Sequence, residues 1–379
     1  MKPLALTGAR IFDGDSWRDD HALIIGADAI EALVPVAQLD SAMARQHLAG
    51  GILAPGFVDL QANGGGGVLL NDSPDMATMA AIASAHRRFG TTALLPTFIT
   101  DHPARMAQAL QAARAARRAG VPGVLGLHLE GPFIDEARRG AHPREYVRAM
   151  FPSDLEPLRD ADCGTLLVTL SPSQATPAMI RDMADAGIVV ALGHSDASAT
   201  EAAAALDAGA RAFTHLFNAM SPLGHRAPGM VGAALTREDA WCGVICDGIH
   251  VADMALHLAL KAKGADKMFL VSDAMPPSAG GPDAFSLQGR SVRRHEGALR
   301  LDDGTLAGCD LTMLQALRYG VERLGVPLEA ALRMASATPA TLIGRDHELG
   351  FLRRGYRADL VHLDAALALQ HVWVGGLAA

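Results

Sequence analysis

Lysine is scarce in this chain of 379 residues: only Lys2, Lys261, Lys263 and Lys267 occur, so nearly all the positive charge is arginine. With 33 basic against 41 acidic residues, the net charge is -8 at pH 7. That balance lacks the extended basic surface by which proteins release counterions from nucleic acid or an anionic bilayer, so neither is expected as a partner. An anionic substrate has to be held by a local pocket instead. Cysteine is equally sparse. Cys163, Cys242, Cys246 and Cys309 are too few and too scattered for a disulfide framework or a paired Cys-x-x-Cys zinc site, and reduced thiols are expected. No apolar run is long enough to span a bilayer, and the stretch Met1-Lys-Pro-Leu-Ala-Leu-Thr-Gly8 has no long signal-type apolar core, which makes the cytoplasm the expected compartment.

What the chain does have is apolar material. Half its residues are hydrophobic and 20% are charged, enough for a large core and incompatible with disorder. Residues 1–53 read as short strands with turns: Ala5 to Ile11, a turn at Asp13-Gly-Asp15, Ala22 to Ile25, and a third strand near Ala32 to Val36. The stretch from Gly355 onward has the same character, in Asp359-Leu-Val-His-Leu363 and Gln370-His-Val-Trp-Val374. Two β-rich ends flanking a different middle are expected to pair with each other outside the main core.

The middle repeats one pattern: a short apolar strand, a polar or glycine-rich break, then an alanine-rich helix. Eight such strands are expected near Phe57–Leu60, Ala93–Phe98, Val124–Leu129, Leu166–Leu170, Ile188–Leu192, Ala212–Thr214, Cys242–Cys246 and Met268–Val271. Eight is the number that closes a parallel barrel. The predicted fold is therefore α/β, a (β/α)8 barrel of the TIM type over residues 54–344, with a small β-sandwich built from residues 1–53 plus 345–379. An open doubly wound sheet is the competitor. Its Gly-x-Gly-x-x-Gly turn is only partly matched by Asn63-Gly-Gly-Gly-Gly67, where position 69 is leucine and no strong helix follows, so a flexible loop at the barrel mouth is preferred.

Barrel enzymes place their chemistry where polar residues end the buried strands. Here those residues are Gln61 and Asn63 after strand 1, Glu130 after strand 3, His194 after strand 5, His215 after strand 6, Asp247 and His250 after strand 7, and Asp273 after strand 8. A histidine taken alone is more often structural than a ligand. His194 and His215 on adjacent strands, with Glu130 across the mouth, form a His2Glu set that leaves a position open, the pattern of a catalytic zinc site. Zinc is expected, and Fe2+, Co2+ or Mn2+ suit the same donors. Asp273, again a carboxylate closing an apolar strand, suits a general acid/base, and His250 is placed to polarise a carbonyl or orient substrate.

Seven strings taken in chain order carry a resemblance: Ala54-Pro-Gly-Phe-Val-Asp-Leu-Gln-Ala-Asn-Gly64, His128-Leu-Glu-Gly-Pro-Phe133, Gly193-His-Ser195, Thr214-His-Leu-Phe-Asn-Ala-Met220, Asp247-Gly-Ile-His250, Ser272-Asp-Ala274 and Ala358-Asp-Leu-Val361. Together they resemble the N-acetylglucosamine-6-phosphate deacetylase family of the amidohydrolase superfamily, over nearly the whole chain. The resemblance implies that Glu130, His194 and His215 hold one divalent metal per subunit, that Asp273 is the general acid/base, and that His250 helps polarise the acetyl carbonyl. It also implies that substrate, a phosphorylated amino sugar, is contacted by Ala141 and His142, by Asn218 and Ala219, by Asp247, and by the closing loop Leu306-Ala307-Gly308. Arg226 matches an arginine that binds the sugar phosphate from the neighbouring subunit of a homodimer. Guanidinium suits that task, because it grips phosphate with two parallel charge-assisted hydrogen bonds.

The chain departs from the wider superfamily at two places. Gln61 and Asn63 stand where binuclear relatives carry a His-x-His pair, and neutral amides are poor zinc ligands, so a second tight metal is not expected. Cys309-Asp310 stands where relatives often have serine and a smaller polar residue. A thiol filling a small site is preferred there over a reactive one. The competing activities are deacetylation of the galactosamine epimer, opening of a cyclic amide, or phosphosugar binding without turnover.

Overall fold

The protein was analysed as a computed structural model that describes residues 3–379. Eight parallel strands form its centre: β1 (Phe57–Ala62), β2 (Thr91–Ile99), β3 (Gly126–Glu130), β4 (Thr165–Leu170), β5 (Val189–Leu192), β6 (Ala212–Phe213), β7 (Trp241–Val244) and β8 (Met268–Leu270). Each pairs with the next in chain order. Just beyond β8, Ala274 forms a parallel bridge with Ala62, the last residue of β1, and so closes β8 onto β1. Nearly every barrel-strand residue is buried, as expected when a parallel sheet is covered on both faces and its strands read as continuous apolar runs. The (β/α)8 expectation holds, strand for strand.

The helices that cover the barrel start where the sequence supplies a cap. Asp75 accepts from the Thr78 backbone N–H ahead of helix Met76–Arg87, and Ser198 with Glu201 forms a capping box ahead of helix Ala199–Asp207. Four helices were not read in the sequence, Leu155–Arg159, Gly229–Thr236, Leu328–Ala335 and Ala337–Leu342. The first is barely more than one turn. The second, Gly-Met-Val-Gly-Ala-Ala-Leu-Thr, is apolar on nearly every side and buried, so it carries no polar face to reveal its period.

Both chain ends meet in one small β-sandwich. A six-stranded sheet joins Arg10–Phe12 and Ile52–Pro55 to Leu360–Leu363 and Leu369–Val374 through the pairing of Ile52–Pro55 with Leu360–Leu363, and a four-stranded sheet pairs Leu4–Thr7 with His21–Ile25 and Ala44–His47. Leu6, Leu23, Ile25, Leu53, Leu360 and Trp373 fill the space between them. The strand expected over Ala5 to Ile11 is in fact two strands, Leu4–Thr7 and Arg10–Phe12, in different sheets. Gly8 turns the chain between them at φ 87°, a conformation that an uninterrupted strand cannot contain.

Two further segments differ from the reading. Gly64-Gly65 and Val68-Leu69 form a tight hairpin rather than a flexible loop; a Cβ on Gly64 would lie 2.3 Å from the Val68 carbonyl oxygen. The long insertion after β8 contains a three-stranded antiparallel sheet, Ala284–Leu287, Arg290–His295 and Ala298–Leu301, over its own small core of Leu69, Ile99, Met275, Leu287, Val292 and Leu299. Among the described residues, no helix is long and apolar enough to cross a membrane.

The junction between the two chain ends makes a stability test. Gly50 and Gly51 share a left-handed conformation (φ 76° and 72°), but an added Cβ meets nothing within 4 Å at Gly50 and lies 2.1 Å from the Leu363 carbonyl oxygen at Gly51. Gly50→Ala is expected to cost about 1 kcal/mol through backbone strain alone. Gly51→Ala is expected to cost about 3 kcal/mol or more, because the sheet edge must also move. Thermal unfolding of the two variants measures the gap, and equal melting temperatures would contradict it.

Candidate metal centre and active site

Glu130 is the last residue of β3, and His194, His215 and Asp273 each follow the end of a barrel strand by two or three residues. All four are buried. His194, His215 and Asp273 also adopt left-handed backbone conformations, at φ 47°, 30° and 46°. Such conformations cost on the order of 1–2 kcal/mol for a residue with a Cβ, and they recur where function requires a side chain to be re-aimed. Here the reversal at each strand end accompanies side chains that meet at one point.

That point is the Glu130 carboxylate. Its Oε1 lies 2.9 Å from His215 Nε2 and 3.2 Å from His194 Nε2, and the two imidazole nitrogens are 3.1 Å apart. His194 Nδ1 donates to the Arg138 carbonyl at 2.9 Å, so in the neutral ring Nε2 is the nitrogen free to bind a metal. Burial alone would raise the Glu130 pKa, but the hydrogen bonds and charges of His194 and His215 hold it well below the usual range. Burial would likewise lower His215, and Glu130 reverses the sign and raises it. The set is thus built to share positive charge. Three donors about 3 Å apart have the spacing of ligands around a small cation bound at ~2.0–2.2 Å, so the residues present fit a divalent metal.

Gln61 and Asn63 connect this centre to Asp273. Gln61 Nε2 donates to Glu130 Oε1 at 3.0 Å and to Asp273 Oδ1 at 3.1 Å, and Asn63 Nδ2 donates to the same Oδ1 at 2.8 Å. Both amides therefore turn N–H groups, not lone pairs, toward the carboxylates. Burial, followed by the negative charge of Glu130, pushes the Asp273 pKa up to about 6. Two neighbouring carboxylates are driven in opposite directions, the arrangement that separates a group kept ionised from one able to exchange a proton.

Asp59 supports this layer and had been given no role from the sequence. Its Oδ1 accepts from the backbone N–H of Gln61 at 3.1 Å and of Ser272 at 3.2 Å, and its Oδ2 accepts from Ser272 Oγ. The carboxylate ties β1 to the residue before Asp273. A signal was present: residues 59, 61 and 63 alternate along a strand, so they share a face.

Cys309 Sγ stands between His250 and Asp273, 3.5 Å from His250 Nδ1 and 3.9 Å from Asp273 Oδ2. His250 Nδ1 bonds Asp247 Oδ2 at 2.6 Å, and Asp247 Oδ1 accepts from the backbone N–H groups of Ile249 and His250. Burial raises the Asp247 pKa, but these hydrogen bonds outweigh it and the net shift is downward. His142 is buried against the centre, with Nδ1 2.8 Å from Thr100 Oγ1 and its ring centroid 4.5 Å from that of His194. Burial pushes its pKa down to about 3, so it stays neutral. Cys309 is buried beside His250, and burial with the nearby carboxylates pushes its thiol well up.

These groups open onto a cavity of about 240 Å³. Ala141, His142, Asn218, Ala219, Leu306, Ala307 and Gly308 all line it, together with Glu130, His194, His215, His250 and Asp273. Asp247 does not; its carboxylate is spent on His250. Arg226 is exposed on the loop before helix Gly229–Thr236, away from the cavity lining. Ile99, Ile245, Met275 and Leu287 form an apolar wall that the sequence did not single out. They come from four separate segments, so no periodic pattern joins them.

Comparison with known proteins identifies the family. Residues 52–377 match the Amidohydrolase family, and residues 4–53 match the NagA composite domain. The chain is 38% identical to an N-acetylgalactosamine-6-phosphate deacetylase of Shewanella sp. (strain ANA-3), over 99% of this chain and 97% of that protein. It is 35% identical to an N-acetylglucosamine-6-phosphate deacetylase of Haemophilus influenzae, over 90% of each. The crystal structure of N-acetylglucosamine-6-phosphate deacetylase from Pasteurella multocida superposes with a TM-score of 0.96 at 35% identity, covering 100% of this chain and 99% of that one. On the matched families, the full-length relatives and the barrel with its convergent strand ends, this chain belongs to the amidohydrolase family.

Proposed function

We propose that this protein hydrolyses the acetamide of N-acetylglucosamine 6-phosphate to glucosamine 6-phosphate and acetate, in amino-sugar catabolism or cell-wall recycling. The observation that carries the reading is the meeting of Glu130, His194 and His215 beside Asp273 in one cavity. The ion is read as zinc, one per subunit, held by those three residues. A divalent cation there supplies Lewis acidity, lowering the pKa of water and polarising a carbonyl oxygen.

The chain's own residues supply the rest. Asp247 accepts from His250 Nδ1, so that in the doubly protonated ring Nε2–H is left to donate to the acetamide oxygen and to stabilise the negative charge that develops on it. Asp273 takes a proton from the attacking water and returns it to the departing amine, so that the nitrogen leaves as a neutral amine. Gln61 and Asn63 hold the Asp273 carboxylate through Oδ1 and leave Oδ2 for the proton. Ala141, His142, Asn218, Ala219, Leu306, Ala307 and Gly308 form the sugar pocket. Arg226, exposed in the single chain, is read as reaching the phosphate in a neighbouring subunit of a homodimer in the cytoplasm. Residues 54–344 form the catalytic domain in this reading, and residues 1–53 plus 345–379 the accessory one. A second reading, the galactosamine epimer as substrate, is favoured by the name of the relative that shares 38% identity over nearly the full chain. Acetate release from the two epimeric 6-phosphates, with and without chelator, separates the readings.

Four outcomes test the assignments. Glu130→Gln is expected to weaken metal binding by at least about 100-fold, measured as metal content after dialysis, because even a residue behind a ligand costs about 10–100-fold when lost; a full equivalent retained would contradict it. Asp273→Asn is expected to keep metal and fold while losing about 10³-fold in turnover. In the parent enzyme the same base must be ionised, so kcat/KM is expected to fall in acid below a midpoint no higher than about pH 6; a rate that rises as pH drops would exclude the role. Arg226→Ala is expected to raise KM for the phosphorylated sugar by about tenfold, the worth of a lost charge-assisted contact, and to leave the unphosphorylated analogue unaffected. Equal effects on both would remove Arg226 from the phosphate site.

A further inference from the structure

Next to the Glu130 centre lies a second set of unlike donors. Asp247, His250 and Cys309 bring a carboxylate oxygen, an imidazole nitrogen and a thiol sulfur within 4.8 Å of one another. Two separate segments build the set. The turn after β7 carries Asp247 and His250. Cys309 is fixed from the other side, with its N–H donating to the Asp273 carbonyl at 2.8 Å and its own carbonyl accepting from Met275 N–H at 3.0 Å. Backbone hydrogen bonds therefore hold the sulfur in place against the histidine.

The spacing suits a soft divalent ion. Zinc holds nitrogen and oxygen at ~2.0–2.2 Å and sulfur at ~2.3 Å, so donors sharing one tetrahedral ion stand roughly 3.3–3.6 Å apart. Cys309 Sγ is already 3.5 Å from His250 Nδ1. The 2.6 Å between Nδ1 and Asp247 Oδ2 is a hydrogen-bond distance, and it has to open by roughly 0.7 Å when an ion replaces the proton between them. Asp273 Oδ2, 3.9 Å from the sulfur, offers a further oxygen. The side chains of His250 and Asp247 are only 6% and 9% exposed, yet His250 lines the cavity, which gives an ion a way in. Thiolate together with imidazole selects zinc, cobalt(II) or cadmium over magnesium or calcium.

We propose that Asp247, His250 and Cys309 form a second, weaker metal site whose filling by a thiophilic divalent cation inhibits the enzyme. The thiol gives its proton to solvent, and the doubly protonated imidazole loses the proton on Nδ1 while keeping that on Nε2, so each ion bound releases two protons. These displacements make the site weaker than the Glu130 centre, where a carboxylate and an Nε2 lone pair already face the ion. Inhibition follows because His250 leaves Asp247 and its Nε2 no longer faces substrate in the same way. That consequence rests on the role proposed for His250; the binding site itself does not.

Cobalt titration of the metal-stripped, full-length protein tests both parts. The first equivalent is expected to restore turnover with visible d–d absorption and no thiolate-to-cobalt charge-transfer band. Further cobalt is expected to bring up that near-ultraviolet band and to lower turnover with the same midpoint. Cys309→Ser is expected to keep the first-equivalent spectrum, which reports its folded centre, to lose the near-ultraviolet band, and to shift the inhibition midpoint upward by about tenfold or more. A band absent at excess cobalt, a band surviving in Cys309→Ser, or equal inhibition of both proteins overturns the proposal. If the sugar 6-phosphates prove not to be substrates, the proposed function fails while a Cys309-dependent band still stands.

Discussion

A single carboxylate oxygen, Glu130 Oε1, sets the demands that the surrounding structure meets. A buried carboxylate is costly unless charge and hydrogen bonds surround it. This one is approached by two imidazole nitrogens and one amide, from residues 61, 194 and 215. Those partners belong to strands 1, 5 and 6, so they come within about 3 Å only because the sheet closes on itself. Closure in turn depends on the seam between β8 and β1, where the Ala62–Ala274 bridge and the bonds from Asp59 to Ser272 hold the last strand in register with the first. The same seam places Asp273 beside Gln61 and Asn63. Barrel closure and the electrostatics of the site are parts of one arrangement.

Within that arrangement the two carboxylates are treated differently. Glu130 is held ionised by the histidines, while Asp273, equally buried, keeps a raised proton affinity. Gln61 touches both. A neutral amide can donate to two carboxylates without cancelling the charge of either, which a lysine or arginine at that position would do. The left-handed backbones of His194, His215 and Asp273 add strain at the same three points. It is tolerated because the buried strands beneath fix where each chain emerges.

Much of this was legible in the residue order. A barrel strand buried on both faces reads as an apolar run, and its end reads as the first polar residue after it. Glu130, His194, His215 and Asp273 could therefore be placed together before any geometry was known. Elements without such a contrast were missed. Helix Gly229–Thr236 is apolar all round, and the strand expected over Ala5 to Ile11 is broken at Gly8 by a turn whose two sides join different sheets. The sheet over residues 284–301 packs on its own small core, formed by residues distant in sequence, and its exposed strands alternate too weakly to be read.

The sequence by itself determined the barrel, the pairing of the two chain ends and the identity of the donor atoms, because burial on both faces and strand-terminal polarity are local patterns that survive in one dimension. Tertiary structure decided what those donors do to one another. It turned Gln61 and Asn63 into hydrogen-bond donors for two carboxylates, committed Asp247 to His250 rather than to the cavity, set Cys309 against that histidine, and left Arg226 outside. The contacts of Gln61, Asn63 and Cys309 join residues far apart in the chain, at distances of about 3–3.5 Å that only the closed barrel imposes.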